Sequence, residues 1–132
     1  MKTALITGVS GGIGKAIALK FAQEGANIAF TDLVLNDDMA AGLEATRQEI
    51  EAIGVTCRAY AGNAADFAET EETVKKIKEE FGTIDILVNN AGIIKRIPMH
   101  EMSAEDFRKV IDVDLNAPFI CAKAVIPAMK EK

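Results

Sequence analysis

At 132 residues, with 49% hydrophobic and 27% charged residues, the chain has the size and balance of one globular domain able to bury its own core. Its net charge of −5 argues against nucleic acid as the main partner, because binding a phosphate backbone needs clustered Lys and Arg. The longest basic run, Lys75-Lys76-Ile77-Lys78, sits among glutamates and reads as a solvated helix face. No apolar stretch approaches the roughly 18 residues of a membrane span, so no membrane partner is expected. Met1 runs almost directly into a strand, without a signal-peptide pattern. Cys57 and Cys121 lack neighbours that suggest a metal site or a nucleophile, so they read as small core residues in a reducing, cytoplasmic compartment.

Strands and helices alternate along the chain. Apolar runs predict strands over Thr3–Thr7, Asn27–Thr31, Val55–Ala61 and Ile84–Asn89; helical spacing predicts helices over Gly12–Glu24, Met39–Ile53 and Asp66–Phe81. Gly25, Gly54 and Gly82 each fall just past a predicted helix, where a left-handed cap is wanted. A long helical region runs from Ser103, an N-cap with Asp106 three residues on, to the end. Two apolar stripes run along it: Ile111, Leu115, Phe119, Ala122, Ile126 and Met129, and Val110, Val113, Ile120 and Ala124. This predicts a helix buried on two sides. Pro118 inside it clashes with the carbonyl four residues back, which predicts a kink over Asp114–Pro118, with a milder one at Pro127. Alternation with continuous apolar strands predicts an α/β fold, a Rossmann-like three-layer arrangement with a parallel sheet in the order 3-2-1-4 and helices on both faces.

The chemistry concentrates at Thr7-Gly8-Val9-Ser10-Gly11-Gly12-Ile13-Gly14, between the first strand and the first helix. Strand, glycine turn and helix present backbone N–H groups and the positive end of a helix to a phosphate. Gly8 suits a tight turn, Gly12 close approach of a pyrophosphate, and Gly14 close helix–strand packing. Asp32 ends the second strand 18 residues after Gly14, close to the spacing of about 20 expected for the acid that holds an adenosine ribose.

In these residues the chain resembles the short-chain dehydrogenases/reductases. The glycine turn matches that family's Thr-Gly-x-x-x-Gly-x-Gly, and Asn89-Asn90-Ala91-Gly92, some eighty residues on, matches its second signature. The segments Ala91–Met99 and Asp112–Phe119 look most like gluconate 5-dehydrogenases and related sugar-acid dehydrogenases. The resemblance implies that Gly8, Ser10, Gly11, Gly12, Ile13 and Gly14 form the pyrophosphate turn. It places the adenosine ribose on Asp32, the adenine beside Asn63 and Ala64, and the ribose side of the cleft along Asn90, Ala91 and Gly92. Asp85 would help fix the adenine side. The charge of Asp32 repels a 2′-phosphate, and Gly11 stands where NADP-preferring relatives carry Arg or Lys, so NAD is expected over NADP. Lys95 and Arg96 read as a solvated loop pair that could meet a carboxylated substrate, and His100 as an exposed loop residue.

The same resemblance implies catalysis by a Ser, a Tyr and a Lys four residues after that Tyr, with an Asn in the long helix anchoring a proton-relay water. Here the only tyrosine is Tyr60, with Ala64 four residues on, and Asp114 occupies the Asn position. The chain is therefore expected to form the dinucleotide-binding half of such an oxidoreductase and not to transfer hydride by itself. Without further strands the fourth strand is a sheet edge. A homodimer joined there and along the last helix is expected, which also admits a non-enzymatic assembly module with a vestigial site.

Overall fold

The computed structural model describes residues 1–9, 12–93 and 96–131. Four parallel strands, β1 (Thr3–Thr7), β2 (Asn27–Asp32), β3 (Cys57–Ala61) and β4 (Ile86–Val88), form one sheet in the order β3-β2-β1-β4. The connections carry α1 (Gly12–Gln23), α2 (Asp37–Glu51) and α3 (Phe67–Phe81). After β4 come a 3₁₀ turn (Met99–Glu101), α4 (Ala104–Ile111), a π-helical turn (Asp112–Asn116) and α5 (Ala117–Lys130). The order and the Rossmann-like α/β class are those expected.

Alternation within the strands divides the core into two layers. On one face Ala4, Ile6, Ile28 and Phe30 pack with Ala18 and Ala22 of α1 and with Leu43 and Ile50 of α2. On the other, Leu5 and Ala29 pack with Val74 and Ile77 of α3 and Val125 of α5. Lys15 ties α1 to Glu49 of α2 at 2.7 Å, and Lys78 ties α3 to Glu131 at 2.8 Å. Cys57 and Cys121 are both buried and free; burial pushes their thiols up to about 12 and about 11. Neither forms a thiolate readily, as expected of core residues.

Several boundaries move for local reasons. Helix α2 begins two residues before Met39 because Asn36 caps it, its Oδ1 accepting from the Met39 N–H at 2.8 Å, with Asp37 and Asp38 in the first turn. Asp66 is the cap of α3, not its first residue. Ser103 caps α4 through Asp106, as expected, and Gly25, Gly54 and Gly82 all take positive φ. β4 is shorter than Ile84–Asn89. Below it, Asp85 turns to the start of β1, where its Oδ2 accepts from the Thr3 N–H at 2.9 Å.

The last helical region departs most from expectation. The disturbance is a π turn over Asp112–Asn116, in which the Ala117 N–H donates to the Asp112 carbonyl, rather than a simple proline kink. Pro118 then falls in the first turn of α5, directly after the π turn, and α5 runs through Pro127 without a break. The buried face of α5 is Ala117, Cys121, Val125 and Ala128. The predicted stripe residues Leu115, Phe119 and Ile126 are 63%, 64% and 48% exposed, so within the single chain the helix is buried on one side. Small side chains bring its axis close to the sheet and α3, and that proximity turns the large apolar ones outward.

Val125, 1% exposed, is the deepest of this face. Val125→Ala is expected to destabilise the fold by about 2 kcal/mol, the scale of a large-to-small core substitution. Urea unfolding should show a lower midpoint at unchanged slope.

Candidate functional site

All four strands run parallel, so their C-terminal ends gather at one edge of the sheet, and the loops leaving them enclose an open cleft of roughly 580 Å³. This is the size range of small-molecule and cofactor sites. Of the residues singled out by sequence, Gly8, Gly12, Ile13, Asp32, Asn63, Ala64, Asn90, Ala91 and Gly92 line it together. Ser10 and Gly11 lie outside the described residues, as does Lys95.

The floor of the cleft is a knot of hydrogen bonds between β1 and the segment after β4. The Thr7 hydroxyl oxygen accepts from the Asn90 N–H at 3.1 Å and the Ala91 N–H at 3.0 Å. The Asn90 side-chain Nδ2 donates to the Gly8 carbonyl at 2.8 Å. The Gly8 N–H in turn donates to the Thr31 carbonyl at 2.8 Å, joining β2 to the same knot. Gly8 has φ +75°, and a Cβ there would stand 2.8 Å from the Ala91 Cα. At Gly14 a Cβ would stand 2.1 Å from the Gly8 carbonyl oxygen and 2.4 Å from Asn90 Nδ2. Gly14 is not in the cleft lining: it sets how closely α1 approaches β1, the packing role its position suggests, and does not join the pyrophosphate turn in lining the cleft as the resemblance implies.

Gly12 differs from both. It opens α1 at φ +58°, and among the described residues a Cβ there would meet nothing within 4 Å. The space faces the cleft at a helix N-terminus, so the backbone is bare where an anionic group would be received. Ile13 beside it is 75% exposed at the mouth. Asp32 ends β2 at the rim, and its Oδ1 accepts from the Leu33 N–H at 2.8 Å, which fixes the carboxylate. Asn63 is partly committed: its Oδ1 accepts from the Ala65 N–H at 2.9 Å, closing a turn that shapes the wall before α3.

Asp114 stands at the β4 end. Its Oδ1 accepts from the Ile93 N–H at 2.8 Å and would lie 3.3 Å from a Cβ on Gly92. The side chain thus holds the loop after β4 against the π turn. Asp85 is not part of the site. It sits level with Thr3, at the opposite end of β1 from Thr7, so the adenine-side role expected of it is replaced by a structural one.

Tyr60, near the cleft end of β3, is not in the lining. It packs with the core layer that contains Val74 and Ile77, its hydroxyl buried without a hydrogen-bond partner among the described residues. Burial, with the Glu80 carboxylate nearby, pushes its pKa up. Arg96 and His100 are exposed on the loop before α4. Among the described residues no group of three His, Cys, Asp or Glu could hold a metal ion, and no helix is long and apolar enough to cross a membrane.

Sequence reasoning gave no role to Thr7, Thr31, Leu33, Gly62, Ala65, Ile93 or Val113. Thr7 was within reach of inference: a hydroxyl just before the glycine turn can accept from backbone N–H groups of the second signature. The others line the cleft through backbone position and leave no mark in residue type.

The model of the family described as short chain dehydrogenase matches residues 2–132. A curated relative, 2-dehydro-3-deoxy-D-gluconate 5-dehydrogenase of Formosa agariphila, is 40% identical over 99% of this chain and 48% of its own length. Among solved structures, 2-keto-3-deoxy-D-gluconate dehydrogenase from Streptococcus agalactiae is 49% identical with a TM-score of 0.82, covering 98% of this chain and 47% of that one. NAD+-bound xylitol dehydrogenase is 32% identical with a TM-score of 0.89 over 97% of this chain and 48% of its own. A blue fluorescent protein from a metagenomic library, in complex with NADPH, is 36% identical with a TM-score of 0.88 over 97% and 51%. The chain spans about half the length of the proteins it matches.

The knot makes a prediction of its own. Gly14→Ala forces backbone apart and is expected to cost at least about 3 kcal/mol, the upper range of overpacking. Gly12→Ala costs only the left-handed backbone penalty of about 1–2 kcal/mol. Thermal melts of the two variants should separate clearly, with Gly12→Ala folded at room temperature. Both signatures meet across one cleft, over the whole of the matched span, and the chain belongs to the short chain dehydrogenase family.

Proposed function

We propose that this chain is the dinucleotide-binding half of a short-chain dehydrogenase that acts on a sugar acid or a secondary alcohol. The observation that carries the reading is the cleft itself. A bare helix N-terminus at Gly12 and a fixed carboxylate at Asp32 face one space, as a pyrophosphate and an adenosine ribose require. In this reading Gly8, Ser10, Gly11, Gly12 and Ile13 wrap the pyrophosphate, with Gly14 packed behind them. Asp32 accepts from the ribose hydroxyls, Asn63 and Ala64 flank the adenine, and Asn90, Ala91 and Gly92 line the second ribose. NAD is favoured over NADP, because a 2′-phosphate beside Asp32 would bring two anions together. The bound nicotinamide supplies hydride chemistry; the residues of this chain bind and orient.

The chain alone does not transfer hydride in this proposal. Its one tyrosine is held in the core with a raised pKa, far from the state an acid/base needs. The sugar-acid assignment draws support from the relatives named for 2-dehydro-3-deoxy-D-gluconate and 2-keto-3-deoxy-D-gluconate. The cysteine usage suits a reducing, cytoplasmic compartment.

A second reading, a dimeric Rossmann assembly with a vestigial site, is favoured by one feature. Leu115, Phe119 and Ile126 lie exposed, and β4 is an edge of the described sheet. A dimer joined through β4 and α5 would cover both. Light scattering at micromolar concentration is then expected to give twice the chain mass and to fall to the chain mass in Phe119→Glu. A monomeric unaltered chain overturns the dimer.

The cofactor reading is tested by calorimetry with NAD. The expected result is high-micromolar binding, with Asp32→Ala about tenfold weaker, as for loss of a hydrogen bond to a charged group, and NADP weaker than NAD. No heat at millimolar NAD from a folded sample would overturn it.

A further inference from the structure

The dinucleotide reading gives the cleft a direction, and the structure places a charge at its far end that the reading leaves unused. Asp32 marks the adenosine end on β2, and Gly12 marks the middle, after β1. A dinucleotide laid across them runs in the sheet order β2-β1-β4, so its second nucleoside ends along Asn90–Ile93. That is where Asp114 stands, its Oδ1 2.8 Å from the Ile93 N–H and its neighbour Val113 in the cleft lining.

We infer that the Asp114 carboxylate makes this end of the cleft discriminate between the oxidised and reduced nicotinamide, favouring the oxidised form. The inference rests on the dinucleotide reading and deepens it. The oxidised ring carries a positive charge and the reduced ring none; otherwise the two ligands present the same groups. A fixed anion at this end therefore acts on their difference. Asp114 is exposed, one N–H bond from Ile93 leaves its charge intact, and no Lys or Arg among the described residues pairs with it. An Asn here would keep the acceptor for Ile93 and lose the charge, so the carboxylate is not needed for the loop geometry alone. An ammonium or guanidinium in its place would reverse the preference.

The second carboxylate of the π turn provides the control. Neither carboxylate is itself in the cleft lining, but Asp114 accepts from Ile93, which is, whereas Asp112 accepts from Asn116 Nδ2 at 2.8 Å, which is not. Removing Asp112 changes net charge by the same unit without touching the cleft.

The experiment is a titration of the chain with NAD and, separately, NADH, each by calorimetry and by saturation transfer from protein to the nicotinamide protons. Asp114→Asn is expected to lower the ratio Kd(NADH)/Kd(NAD) about threefold, the effect of one charge several ångströms away in a solvent-exposed site. The change should come from weaker NAD binding, and it should shrink as salt rises from 0.05 to 0.5 M, where the screening length drops to about 4 Å. Asp112→Asn should leave the ratio unmoved. If both forms bind and Asp114→Asn does not alter their ratio, or if Asp112→Asn alters it equally, the inference fails while the dinucleotide reading stands. If neither form binds the folded chain, both fail.

Discussion

The site depends on one close approach, that of α1 to the end of β1 at Gly14. With no Cβ on Gly14, the Gly8 carbonyl and the Asn90 amide occupy the space a side chain would take. The Asn90 Nδ2 to Gly8 bond can form only because of that vacancy, and it fixes the loop after β4 to the glycine turn. Thr7 completes the link by accepting two successive backbone N–H groups from residues 90 and 91. A buried or half-buried N–H without a partner costs on the order of 1–3 kcal/mol, so these bonds matter more for what they prevent than for what they add. The two family signatures, far apart in sequence, are therefore one structural unit.

That unit also explains how a short edge strand carries a wall of the cleft. β4 pairs with β1 over only three positions, Ala4 with Ile86, Leu5 with Leu87 and Ile6 with Val88. All three β4 residues are half-buried, whereas β1 is fully buried along its length. Cross-links stand at both ends of this brief ladder. Asp85 holds the start of β4 to Thr3, and Thr7 with Asn90 holds the segment beyond its end. Asp114 adds a third attachment, from the helical side, to Ile93. The wall is thus held by side chains where strand pairing is shortest.

Much of this was legible in the residues. The strand order follows from alternation and handedness, and the cleft from the glycine turn and Asp32, because both depend on local geometry that residue type controls. The adenine-side role of Asp85 came from the resemblance alone; three residues of extended strand separate it from Asn89 and carry it roughly 10 Å away, to the other end of the ladder. The face of α5 was misjudged for a different reason. Hydrophobicity ranks Phe119 and Leu115 above Ala117 and Cys121, yet close packing against a sheet and a neighbouring helix selects for size before hydrophobicity. Periodicity of large apolar residues marks two stripes, and the face turned inward, Ala117, Cys121, Val125 and Ala128, belongs to neither.

The π turn joins these two outcomes. Pro118 cannot donate to the carbonyl of Asp114, so the backbone around it has one bond fewer to satisfy in regular α geometry. Widening to i→i+5 spacing at Asp112–Asn116 accommodates the loss and inserts one residue into the helical rotation. An inserted residue shifts every later side chain around the axis by roughly 100°, since an α-helix turns once per 3.6 residues. The stripe drawn from Ile111 through Leu115 and Phe119 assumes an unbroken helix, and the π turn interrupts it. The same widening occurs at Asp114, whose side chain reaches the loop at Ile93. The small-residue face of α5 packs inward, Phe119 stays outside, and the π turn just before it carries the carboxylate that stands beside the cleft.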